Sequence, residues 1–513
     1  MRRLGRGPAG RHGERTFDAC PGRRAPPQLH RRSLMDTQSS IDAANPDFSE
    51  VFSTFSSALT VADIPGAVLD VVRDDIFDTL ACAAAGISAD GVGPLIELVS
   101  RWGGRPEATI WCTGQQVPAH HAAWVNGMMA HARDFDDTHD AAVLHAGVSV
   151  VPAAIAAAER ETSASGADLL AGITAGLELI CRLGVATKIG IIDSGYMYTS
   201  LFGHFAATAA AARVMRMDAA ETVNALGIAY SQAAGTHQVT RDAALTKRMQ
   251  PGFAAKTALI STALCRAGIS GAQKTFEGLD GLFNSYFRGD YAPEILRQEL
   301  GQRFRLADLS FKPYPCCRFN HTAIEAGLLL REKLASLGDP QITGIVASVN
   351  HQSHEAVGTP IEMRQNPRNI VQAQFSIPYT VACALIDGEV SLRHFSESGM
   401  ANEDVRSLAR RITVETDPVI ERAWSRGISP TRLDAETAAG RISVQVDRPL
   451  GGPDRPMSDA DFLAKFRGCL DVSGLRWPDG TPSALRGVIS ALHGGGDPAT
   501  LIRCMCPDSS RAR

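Results

Sequence analysis

The stretch HARDFDDTHDAAVLH, residues 131 to 145, sets Asp134, Asp136, Asp137, Asp140, His131, His139 and His145 among apolar neighbours. Three chemistries suit such a set. His131 and Asp134 lie about one helical turn apart, and His139 and His145 could add ligands, which makes a donor set for a metal. Without a metal, the imidazole of His145 or His139 is a proton carrier near neutral pH, while an aspartate orients the ring or holds a lysine. The plain structural account is a helix connection whose aspartates cap backbone N–H groups. It accounts for one or two aspartates, not for all four with three histidines. Neither HExxH nor CxxC occurs to favour the metal.

Two further segments carry chemistry. In LTKRMQPGFAAK, residues 245 to 256, Lys247 and Arg248 stand just ahead of a helix start marked by Pro251 and Gly252, so cations and free N–H groups could converge on an anion. The plain alternative is a pair of solvated charges. In KPYPCCRFNHTAIEA, residues 312 to 326, two prolines stiffen an extended run, Cys316, Cys317 and Arg318 follow, and His321 opens a helix whose dipole favours a neutral ring. A cysteine nucleophile is conceivable there, but adjacent cysteines in an apolar setting more often pack.

These segments need elements to hold them. From about 47 to 305, Ala-rich segments with apolar residues at three- and four-residue steps predict helix after helix, for example over 122–132, 150–161, 204–215, 219–235 and 252–268. Pro152 is expected near the first turn of its helix. Past 306 the texture changes. Strand-like runs at 342–350, 411–416 and 441–446 alternate with helical stretches at 321–337 and 373–388, the pattern of an α+β region. SDADFLAKFRGCL, 458 to 470, begins with cap chemistry and returns to the helical part. The third segment lies at this change of texture, where ligand clefts tend to form.

Composition excludes several classes. A net charge of -4 with 21% charged residues leaves no basic footprint for a nucleic-acid binder. Eleven cysteines without paired spacing indicate reduced thiols. The most apolar stretch, 169–190, includes Glu178, Arg182 and Lys188 and reads as a buried helix, not a membrane span. Residues 1–34 are rich in arginine, glycine and proline. They read as a disordered or mis-assigned leader, with Met35 as an alternative start, and the cytoplasm as the expected location over mitochondrial import.

Together the three segments resemble the MmgE/PrpD family, which includes 2-methylcitrate dehydratase and cis-aconitate decarboxylase. Asp134 to His139 fill its D-[FY]-D-D-T-H pattern, His145 follows, Lys247-Arg248 fill the K-R before a helix, and Lys312 to His321 fill K-x-Y-x-x-C-x-x-x-H. TFEGLDGLFNSYF, 275 to 287, resembles the family's Gly-rich connection. The likeness runs from about 45 to 490. It implies a mostly α fold in which a large helical domain from both ends of the chain (45–305 and 451–495) carries an inserted α+β lid (306–450), between a leader (1–44) and a loose tail (496–513). It also implies a homodimer that works without metal or organic cofactor. Asp134, Thr138, His145, Lys247 and His321 correspond to active-site positions.

The chemistry fits a lyase acting on a small polycarboxylate, by dehydration or decarboxylation. Asp134, His145, Lys247 and His321 are assigned to catalysis, and Thr138, Arg248, Arg318 and Cys317 to substrate binding, with no metal ligand. Nucleic acid and membrane are not expected partners. Two family histidines are replaced here, by Met197 in GYMYT and by Gln250, with Tyr198 and His204 as nearby substitutes, and Ala146-Gly147 stands for the frequent Pro-Ser. These departures weigh against 2-methylcitrate as the substrate. The competing readings are an epimerase of a dicarboxylate such as iminodisuccinate and an inert carboxylate-binding member.

Overall fold

Small residues decide how closely the helices cross. The computed structural model describes residues 46–424 and 427–507, so the leader and the last six residues lie outside it. From Asp47 onward the chain packs as one unit. The helix Gly203–Val214, half of it alanine, lies against Gly147–Arg160, Gly166–Ala186, Ala219–Tyr230 and Thr246–Arg266. A Cβ at Gly172 or Gly176 would stand 2.8 Å from the carbonyl oxygen of Ala210 or Ala206, so glycine is what permits that approach. Gly166–Ala186 is long and apolar enough to cross a membrane, but it is almost wholly buried in this helical layer. Its two buried mid-helix charges, Glu178 and Arg182, pair with each other: Arg182 Nε donates to Glu178 at 2.6 Å, and the other Arg182 nitrogens donate to the carbonyls of Ile295, Leu296, Gln298 and Arg303.

Two hydrophobic cores follow. The larger joins residues from Phe48 to Phe311 with Leu392 and with Met457 to Met505. The smaller runs from Cys316 to Val446. In the smaller, four strands lie in the order Ile412–Thr416, Ile342–Val349, Thr431–Thr437, Gly440–Val446; the first pair is parallel and the others antiparallel. The helices His321–Ser336 and Ile377–Asp387 pack on each other, and the former covers the sheet. The chain is therefore mostly α, with a smaller sheet-containing region in its C-terminal part.

Several expectations need correction. The strand Thr431–Thr437 was hidden by its charges: Leu433 and Ala435 face the core while Arg432 and Glu436 alternate outward. Residues 373–388 are interrupted at Phe375, because Ser376 caps a new helix through the Tyr379 N–H. Pro152 and Pro251 each sit at the sixth helical position, one turn later than expected. The tail is not loose over 498–505: Asp497 caps the helix Pro498–Cys504, and Leu501, Ile502 and Met505 are buried in the larger core.

The crossing that matters most for chemistry joins Ala119–His131 to Thr246–Arg266. A Cβ on Gly252 would lie 2.3 Å from the Trp124 carbonyl oxygen, and one on Gly127 would lie 2.9 Å from the Gly252 Cα. Bare backbone at both positions brings the end of one helix, His131, beside the start of the other, Lys247. A Gly252→Val variant should melt well below the parent in a thermal scan and lose the activity proposed below, since overpacking alone costs roughly 1–3 kcal/mol. An unchanged melting temperature would show that the helices can separate without cost.

Candidate active site

Asp134 stands at the centre. It leaves the helix Ala119–His131 in a left-handed conformation, with φ of 54°. One oxygen accepts a hydrogen bond from Lys247 Nζ at 2.9 Å and the other from Lys312 Nζ at 2.6 Å, while Lys312 also donates to the Asp134 carbonyl at 2.9 Å. All three side chains are buried. Burial opposes the Asp134 charge, but the two ammonium groups outweigh it and hold the carboxyl well below the usual carboxylate range. Lys312, wholly buried, is raised for the reciprocal reason: burial works against its charge and Asp134 more than offsets this.

Asp136 organises the histidines. His131 Nδ1 donates to its Oδ2 at 2.8 Å, and His145 Nδ1 lies 2.9 Å from the same oxygen while donating to the Asp137 carbonyl at 2.8 Å. His131 Nε2 faces Lys247 Nζ at 3.4 Å, so it is the acceptor. Burial pushes His131 down to about 4, so the ring is neutral. Around His145 Nδ1 there are only acceptors, which fixes the proton there and leaves Nε2, without a partner among the described residues, as the basic nitrogen. The His145 N–H donates to Thr199 Oγ1 at 3.0 Å.

The remaining aspartates have separate tasks. Asp137 accepts from the Ala146 and Gly147 N–H groups at 2.8 and 3.0 Å and so caps the helix Gly147–Arg160, as the plain account of an aspartate foresees. Burial and the neighbouring Asp136 raise it to about 7. Asp140 accepts from Thr138 Oγ1 and Ser310 Oγ, both at 3.0 Å, and pairs with Arg318 at 3.3 Å. Lys465, from the C-terminal helix Asp459–Ser473, holds the loop from beneath. It donates to the Phe135 carbonyl at 2.6 Å and pairs with Asp78 at 2.5 Å.

A cavity of about 500 Å³ opens between these residues and the sheet-containing region. Asp134, Thr138, His145, Lys247, Arg318 and Cys317 all line it. Arg248 and His321 do not. Arg248 turns toward a neighbouring groove and reaches the Asp90 carbonyl at 3.3 Å. His321 is wholly buried behind Arg318: its Nδ1 accepts from Arg318 Nη1 at 3.1 Å and its Nε2 faces the Cys316 carbonyl at 3.4 Å, so neither nitrogen is free for substrate. It does open a helix and is held well below the ordinary imidazole value, by burial first and then by Arg318, rather than by the dipole alone. Burial pushes the Cys317 thiol up to about 11, which leaves no thiolate nucleophile.

Met197 lines the cavity, while Gln250 faces a separate one. The two substitutes suggested for Met197 do not reach the site. Tyr198 donates to the Ile189 carbonyl at 2.6 Å, and His204 lines the other cavity. The sequence reading missed Lys312, Thr199, His237 and Arg241 as cavity residues. Of these, Lys312 and Thr199 lie within the motif segments KPYPCCRFNH and GYMYT, and neither was given a role.

His131, Asp136 and His145 place ligand atoms within 4.8 Å of one another. Asp136 Oδ2 lies 2.8 and 2.9 Å from the two Nδ1 atoms, hydrogen-bond separations in which each Nδ1 serves as a donor. The cluster fits a proton network as it stands.

Such a convergence of buried cations with an imidazole is an arrangement capable of acid–base chemistry. Residues 50–294 match the MmgE/PrpD N-terminal domain and residues 314–474 the MmgE/PrpD C-terminal domain, so the chain belongs to the MmgE/PrpD family and is an enzyme of the lyase class. It is 27% identical over 436 residues to a cis-aconitate decarboxylase of Aspergillus terreus, covering 80% of this chain and 87% of that one. The corresponding human cis-aconitate decarboxylase is 26% identical, with 82% and 86% covered. A 2-methylcitrate dehydratase of Cupriavidus necator is 24% identical, with 83% and 90% covered.

Two measurements test the network. An imidazole neutral down to about 4 when folded takes its proton near 6.5 when unfolded, so the unfolded chain binds more protons in between and His131 costs stability increasingly as pH falls through that window. The urea midpoint of His131→Gln relative to the parent should therefore shift in the variant's favour between about pH 7 and pH 5; a constant difference means that the folded ring is protonated. Exhaustive chelation should leave turnover unchanged, and a loss restored by a divalent ion would reassign His131, Asp136 and His145 to a metal.

Proposed function

We propose that the protein is a lyase for a small tricarboxylate, decarboxylating a cis-aconitate-type acid. The observation that carries this is the charge of the cavity wall. Five basic side chains face three carboxylates in a protein whose net charge is negative, an arrangement that favours a polyanion. Lys247 and Arg318 hold substrate carboxylates, Lys312 fixes Asp134, and Asp134 holds Lys247 in place. As the bond to the departing carboxylate breaks, carbon dioxide leaves and the electron pair remains on the carbon skeleton, delocalised toward a second carboxylate beside Lys247. His145 Nε2, having taken a proton from solvent, delivers it to that carbon. His321 positions Arg318 and touches no substrate. The sheet-containing region serves as a lid that excludes water and strengthens each charge interaction.

The relatives named for cis-aconitate decarboxylation support this reading, as does Met197, which removes a proton carrier that dehydration would use. A second reading, dehydration of a 2-methylcitrate-type acid, is favoured by His237. Its Nδ1 is buried without a partner, and the ring lines the cavity as a second proton carrier. The protein is also proposed to be a homodimer, through the exposed face on which Trp102 stacks with Trp124 and Trp124 meets Phe253.

Proton NMR of the protein incubated separately with cis-aconitate, citrate and 2-methylcitrate decides between these readings. Loss of carbon dioxide from cis-aconitate is expected, with His145→Ala slower by about 10²–10⁴-fold and Lys247→Ala inactive. Loss of water from 2-methylcitrate would favour the second reading. Turnover undiminished in His145→Ala would remove that residue from the mechanism.

A further inference from the structure

The cavity is larger and more apolar than a six-carbon triacid needs. Sites of roughly 300–1,000 Å³ enclose drug-sized ligands, and at about 500 Å³ this one lies within that range. Lys247, Lys312 and Asp134 are bonded together in its wall, while Glu355 and Arg364 line it beside Met363. Beside Lys247 begins an apolar wall: the Phe375 ring centre is 5.3 Å from Lys247 Nζ, Val371 stands one turn earlier on the same short helix, and Met363 and Ile192 continue the lining. All four are only partly buried, so they present apolar surface to the cavity. This surface leads outward. Ala243 and Val371 line both the cavity and an adjoining surface groove of about 490 Å³, where Leu245 is 46% exposed beside Ile370 and Met400, with Asp90, Arg248, Arg368, Glu397 and Arg406 completing the groove.

We infer that the substrate is a polycarboxylate bearing a linear alkyl substituent longer than methyl. The carboxylates are held at the Lys247 end, and the chain runs past Phe375 and Val371 into the groove beside Leu245. The inference rests on the polycarboxylate reading above and adds the specificity-determining residues Met363, Val371 and Phe375. A chain there removes from water apolar surface that no protein side chain covers, which is the driving force for binding it.

Calorimetric titration with tricarballylate and its alkyl-substituted homologues, on the full chain, tests this. Each added methylene should tighten binding by roughly three- to fourfold. Val371→Trp, which fills the passage, should abolish that gain while leaving the unsubstituted triacid unchanged; Met363→Trp is the second variant should the first not fold. Affinity that is flat or falls with chain length, while the unsubstituted triacid binds, overturns the inference and leaves the polycarboxylate reading intact. Failure of every member to bind overturns both.

Discussion

A carboxylate without water has to be matched by charge, and the architecture of this protein turns on how Asp134 is matched. Its two oxygens face two lysines from different parts of the chain: Lys247 at the start of a helix in the larger core, and Lys312 just ahead of the smaller one. Removing one member of a buried set leaves the others uncompensated, at a cost of about 3–5 kcal/mol. The ion set is thus a clasp between the two cores as well as a source of positive charge for a ligand. It closes only because Gly127 and Gly252 let two helices touch backbone to backbone.

Polarity within the loop is divided by position. Asp136 meets imidazoles, Asp137 meets backbone N–H groups, and Asp140 meets a guanidinium and two hydroxyls. Neighbouring residues of one type thereby hold different protonation preferences, because their surroundings differ: Asp136 is kept ionised by the rings against the cost of burial, while Asp137 is raised by burial and by Asp136 itself. That division lets one stretch hold a helix cap and a charged hydrogen-bond network side by side.

The mostly helical fold, the change of texture near 306 and the loop motif were legible because they rest on local pattern: alanine at helical spacing, alternating strands, and polar residues too dense for caps alone. Direction was not legible. Arg248 adjoins Lys247 in sequence but points to another groove, since successive helical residues lie about 100° apart. His321 carries a motif signal yet ends behind Arg318, which reaches across to the Leu450 carbonyl while the ring lies against the nearby Cys316 carbonyl. Thr431–Thr437 went unread because its outward charges mask a period of two. The prolines at 152 and 251 misled by one turn, since both site helices tolerate the missing N–H one turn further in than the usual first-turn position. The two departures from the family pattern also looked equivalent in sequence. In space they are not: Met197 alters the cavity and Gln250 lies outside it.

Lys465 gives the site a history as well as a shape. Phe135, at the heart of the loop, is held through its carbonyl and its ring by a lysine that lies 330 residues further along the chain. As the protein is synthesised from its N-terminus, the loop residues emerge 330 residues ahead of this support. A nascent chain therefore displays all the loop's acids and histidines long before the residue that holds them in register has been made.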